Sequence, residues 1–132
     1  MKKTISALLM AGLLSVLSAS FFAAPASAAS CKSRTSGFPG KWGPVSNECE
    51  YTSPASGWDG KLNITWNVQA DTNQYACVEA RHGNAANPEK WQSLGCGTRG
   101  QGEIRWPKNN ASKVEVRVRS GNAHMANVDY SI

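Results

Sequence analysis

From Leu62 to Val68 every second residue is large and apolar, and the residues between are short and polar: Leu62, Ile64, Trp66 and Val68 alternate with Asn63, Thr65 and Asn67. A period of two belongs to a strand that buries one face, whereas a helix would scatter these four side chains around its circumference. Asp59-Gly60 before the run and Ala70-Asp71-Thr72-Asn73 after it supply turn residues. The pattern returns at Val114, Val116 and Val118, with Lys113, Glu115, Arg117 and Arg119 between and beside them. Shorter runs follow it at 75–81, 91–96, 103–106 and 126–132. Past residue 28 no stretch carries apolar residues at helical spacing over several turns. The chain is expected to be all-β, with about six or seven strands.

Residues 1 to 28 stand apart. Lys2 and Lys3 open a positive region, an apolar run extends from Ile5 to Phe22, and Ala26-Ser27-Ala28 places small residues where a signal peptidase cuts. Ser15, Ser18 and Ser20 dilute the run and no charged stop-transfer segment follows, so a bacterial secretory leader is expected rather than a transmembrane helix. Residues 29–132 then form one domain, secreted to the periplasm or beyond and expected to be a monomer. Loss of Lys2 and Lys3 lowers the formal charge from +5 to +3. That balance, with positives scattered among acids, lacks the dense basic stripe of a nucleic-acid binder.

All four cysteines, Cys31, Cys49, Cys77 and Cys96, follow the leader. An even count in a small exported chain indicates two disulfides. No two of them have the close spacing of zinc ligands, and His82 and His124 are the only histidines, so no metal or other cofactor is expected. Of the three connectivities, Cys31 with Cys49 and Cys77 with Cys96 is preferred, because each closes a local loop of about twenty residues worth about 3 kcal/mol. A rival reading takes Ala28-Ala29-Ser30-Cys31 as a degenerate lipobox with a lipidated Cys31, which would strand one thiol.

Between 32 and 57 the text is rich in Gly, Pro and Ser, with Phe38-Pro39-Gly40-Lys41-Trp42-Gly43-Pro44 near its centre, and is expected to be ordered but irregular, apart from a short strand at 48–52. Strands with one apolar face in a chain of this length fit a small antiparallel β-sandwich, with a small β-barrel as the alternative. An early strand bearing Trp66, the bridge at Cys77 and the Val-rich late strand are similar in general architecture to immunoglobulin-like and fibronectin-like sandwiches, although the spacing matches no family signature.

The chain holds no Gly-x-Ser-x-Gly elbow, no His-Glu-x-x-His helix and no phosphate-cradling loop. Glu79, Arg81, His82 and His124 are the residues a small hydrolase would use, but no spacing joins them, and a noncatalytic protein is expected. All five tryptophans follow the leader. Trp66 and Trp106 fall at inward strand positions, whereas Trp42, Trp58 and Trp91 lie beside Gly, Pro or loop residues and are the candidate ligand-binding residues. They point to a secreted module that binds a glycan or cell-wall polymer; the alternative is an inhibitor or effector directed at another protein. The row Lys113, Glu115, Arg117 and Arg119, with Glu103 and Arg105 beside it, is expected to be a solvated sheet face.

Overall fold

The computed structural model describes residues 30–70, 74–84 and 89–132. The leader expected at 1–28, and part of the turn expected at 70–73, lie outside the described residues. Eight strands follow one another: β1 (Lys32–Gly37), β2 (Ser46–Thr52), β3 (Lys61–Val68), β4 (Ala76–Gly83), β5 (Gln92–Gly97), β6 (Arg99–Arg105), β7 (Ala111–Ser120) and β8 (Ala126–Ser131). They form two four-stranded antiparallel sheets, ordered β1-β8-β3-β6 and β2-β7-β4-β5. No helix among the described residues is long and apolar enough to cross a membrane.

The strand pairs β1 with β8, β2 with β7, β3 with β6 and β4 with β5 describe one long antiparallel ribbon folded back at the β4–β5 connection. Successive rungs fall in opposite sheets, and the ladders β3–β8 and β4–β7 join them sideways. That is jelly-roll connectivity within the expected sandwich architecture.

The alternation read at 62–68 is the inner face of β3: Leu62, Ile64, Trp66 and Val68 are buried and the residues between them exposed. Ile104, Val128 and Tyr130 extend that face across the first sheet. Val78 and Ala80 of β4, Leu94 of β5 and Val114, Val116 and Val118 of β7 close on it from the second. The turn expected before β3 is present: Gly60 has φ +85°, and the Asp59 carboxylate accepts from the Lys61 amide at 3.1 Å.

Both preferred disulfides are present, and they do different work. Cys31–Cys49 joins the start of β1 in one sheet to β2 in the other, with Cys49 fully buried. It uses the sulfur that a lipid on Cys31 would need. Cys77–Cys96 joins directly opposed residues of β4 and β5 on the outer face of one sheet, with Cα atoms 4.0 Å apart. Beside this bridge the β4–β5 register shifts between Val78 and Glu79, opposite Gly95.

Three expectations are corrected. The segment 32–57 is less irregular than its composition implies, because Lys32–Gly37 is a full strand. It turns only Thr35 and Gly37 inward and pairs on one side alone, so it needs no large apolar residue. The strand expected at 103–106 starts earlier, at Arg99, with glycines at inward positions. A Cβ on Gly100 would sit 2.8 Å from the Trp66 ring, and one on Gly102 would sit 2.9 Å from Leu94. Large neighbours already fill those places. Finally, Glu103 and Arg105 belong to β6 beside β3, in the other sheet from the β7 row.

Candidate functional site

The outer face of the β2-β7-β4-β5 sheet is built from cross-strand pairs of β4 and β7. Cys77 faces Arg119, Glu79 faces Arg117, Arg81 faces Glu115 and Gly83 faces Lys113. The charges oppose each other in register, as stable cross-strand pairs require. Arg117 donates from Nε and Nη2 to Glu79 Oε1 at 2.9 and 2.6 Å, and Arg81 Nε donates to Glu115 Oε1 at 2.6 Å. All four side chains are only 21–24% exposed, so these pairs are less screened than ordinary surface bridges.

Two of the three tryptophans singled out in the sequence converge on this face. The Arg117 guanidinium lies 4.3 Å from the centroid of Trp42 and 4.3 Å from that of Trp91. Arg119 approaches Trp42 at 4.9 Å and Arg81 approaches Trp91 at 4.1 Å. The contacts run Arg119, Trp42, Arg117, Trp91, Arg81, with Arg117 shared at the middle. Each cation over an indole contributes about 0.5–1 kcal/mol or more as it loses water. The larger consequence is that both rings are held in place before any ligand arrives.

Local sequence explains how Trp42 gets there. Pro39 and Gly40, the latter at φ +67°, form a tight turn in which Phe38 and Lys41 exchange backbone hydrogen bonds at 3.2 and 3.1 Å. The turn is clipped to the end of β7: Gly40 and Gly43 amides donate to the carbonyls of Ser120 and Val118, and Trp42 bridges to Arg119. Gly43 leaves no room for a side chain, since a Cβ there would lie 1.9 Å from the Ser36 carbonyl oxygen. Gly43→Ala is therefore expected to cost about 1–3 kcal/mol by forcing these two backbones apart. Thermal unfolding reads the loss, and the altered emission of Trp42 reports the displacement.

Trp91 is positioned by its neighbours. The Glu89 carbonyl accepts from Arg81 at 3.4 Å and its carboxylate from Arg105 at 3.2 Å, while the Gln92 side chain accepts from the Arg105 amide at 2.8 Å. Tyr75, missed in the sequence, adds a third aromatic. It precedes the Ala76–Ser120 pair, its carbonyl accepts from Gly121 at 2.7 Å, and it is 49% exposed. A Cβ on Gly121 would meet its ring at 2.6 Å, so the ring lies against that glycine.

The indole N–H groups divide the tryptophans into two kinds. Trp66, Trp106 and Trp58 donate to the carbonyls of Leu94, Asn110 and Trp106 at 3.1, 3.1 and 2.7 Å. Trp58, the third candidate, thus faces the end of the core, where it also packs on Tyr51 at 5.6 Å. Trp42 and Trp91 are partly exposed, and among the described residues their N–H groups have no acceptor.

The residues a hydrolase would use are not brought together. Glu79 and Arg81 face outward, while His82, also on β4, faces inward. It is 6% exposed, bonds Asn110 Oδ1 at 2.7 Å and packs on Trp106 at 4.4 Å. His124 is exposed in the β7–β8 connection. A polar cavity of about 620 Å³ on the outer face of the first sheet holds Arg34, Asp129, Thr65 and Asn67, with Arg34 and Asp129 already paired at 2.9 Å. The chain matches no family model, no curated protein and no solved structure.

Proposed function

We propose that the protein is a secreted, noncatalytic module that binds a carbohydrate or cell-envelope polymer on the outer face of the β2-β7-β4-β5 sheet, through Trp42 and Trp91. One observation carries this reading. Of the five tryptophans, these two alone combine partial exposure with indole donors that meet no acceptor among the described residues. Apolar ring surface beside free N–H and guanidinium donors suits a sugar, whose C–H face stacks on the ring while its hydroxyls accept at the rim. Fixing the rings beforehand lowers the entropy cost of binding. Two disulfides suit work outside the cytoplasm, where they persist.

Titration of the oxidised protein with soluble and insoluble glycans, peptidoglycan and chitin among them, should give a saturable change in tryptophan fluorescence. Trp42→Ala and Trp91→Ala are each expected to weaken that binding about tenfold or more. Neither should cost more than about 2 kcal/mol of stability, since only cation–π contacts and partial burial are lost. Absence of any response would sink the reading and turn attention to a protein partner. Phe38, Tyr75 and Met125, 40%, 49% and 45% exposed, lie at one end of the sandwich and are the natural contacts for one.

A further inference from the structure

Arg119 differs from the other two arginines of the stack. Arg81 and Arg117 are each closed by a glutamate at 2.6 Å, whereas Arg119 has the Trp42 ring at 4.9 Å and, among the described residues, no carboxylate. Its partner across β4 is Cys77, locked in an uncharged disulfide, and its neighbour on the other side is Trp42 itself. The closest acid along β4 is Glu79, whose Oε1 already takes two donors from Arg117. A guanidinium held against an indole, without a counter-ion among the described residues, keeps its planar fork of donors for an oxyanion. Lys41, exposed in the turn beside Trp42, adds a second positive charge.

We propose that Arg119 is the anion-recognition residue of this face, and that the polymer bound there is a glycan bearing carboxylate or phosphodiester groups. The proposal rests on the reading of the face as a carbohydrate platform. Tyr75 precedes β4, and its exposed ring lies against Gly121, two residues beyond Arg119. Arg119 thus has Trp42 beside it and an exposed aromatic toward the same end of the sheet, where a stacked sugar would bring its acidic substituent.

Oligogalacturonate supplies the carboxylate, a sugar-phosphate polymer of phosphodiester-linked hexoses the phosphodiester, and cello- and chito-oligosaccharides the neutral comparison. The wild-type protein should bind one of the two anionic probes at least about tenfold more tightly than the neutral ones at low ionic strength, with the margin shrinking as salt is raised. Whichever anionic probe wins identifies the source of the charge. Arg119→Gln should remove the margin, weakening the anionic probes about tenfold more than the neutral ones, and Arg119→Lys should restore part of it by keeping the charge without the fork. Neutral glycans that bind as tightly as both polyanions would overturn the proposal, as would Arg119→Gln weakening all probes equally. In either case the platform itself stands if Trp42→Ala and Trp91→Ala still abolish neutral binding. Failure to bind any probe removes both.

Discussion

Reducing both disulfides is expected to unfold the protein at ordinary temperatures. The bridges span 18 and 19 residues, and loop entropy gives about 3 kcal/mol for each. A combined loss of about 6 kcal/mol compares with a total stability of about 5–15 kcal/mol for a domain of this kind. Circular dichroism melts with and without dithiothreitol should differ by tens of degrees. The two bridges are not equivalent. Cys49 is fully buried and its bond is a covalent tie between the two sheets, whereas Cys77 and Cys96 face outward on strands already joined by backbone hydrogen bonds. Replacing Cys31 and Cys49 by Ser should therefore cost more than replacing Cys77 and Cys96, because it also buries a hydroxyl in the core. A reduced protein that melts within a few degrees of the oxidised one would contradict this account.

Trp106→Ala is expected to be the most damaging single side-chain truncation, at about 3–5 kcal/mol. Trp106 is 1% exposed, and it closes the end of the core through contacts of several kinds. Its amide donates to the Gly60 carbonyl at 2.8 Å and its indole to Asn110 at 3.1 Å, while its carbonyl accepts from Trp58 at 2.7 Å. Tyr51 meets the ring edge-on at 5.7 Å and His82 packs on it at 4.4 Å. Truncation opens a large cavity under the β2–β3 and β6–β7 connections and uncovers a buried histidine. Urea titration should show a lower midpoint at unchanged slope. The contrast with Trp42→Ala and Trp91→Ala is itself informative: all three remove one indole, but only Trp106→Ala should threaten folding.

Strands whose inward faces needed large side chains could be read in the sequence. Leu62 to Val68 and Val114 to Val118 alternate because both lie inside their sheets, each with a neighbour on either side. β1 was hidden because an edge strand with Thr35 and Gly37 inward has no apolar signature, and the start of β6 because Trp66 and Leu94 occupy the space that its inward residues would otherwise fill. The disulfide pairing followed from loop length alone. The site was half legible. Neighbouring Gly, Pro and loop residues marked Trp42 and Trp91 as surface candidates, yet nothing in linear sequence reports that a turn after β1 and a residue before β5 meet over β7. Arg117 and Arg119 looked like ordinary outward charges for the same reason. Their distinction, one closed by Glu79 and the other open, depends on the β4–β7 register. Trp58 shared the flanking signature of the other two, but its donor was claimed by a carbonyl from a segment far along the chain.

The place of β8 bears on how the chain reaches its native state. In the first sheet the order is β1-β8-β3-β6, so the eighth strand sits between the first and the third. Until residues 126–131 have been delivered, β1 has no strand partner and β3 is paired on one edge only, leaving backbone groups open to wrong neighbours. Folding of this sheet must therefore wait until residues 126–131 are available, and a chain stalled short of β8 is a substrate for holding chaperones rather than a nearly finished domain. Contacts this distant along the chain also place refolding on the slow side for its length, in milliseconds to seconds.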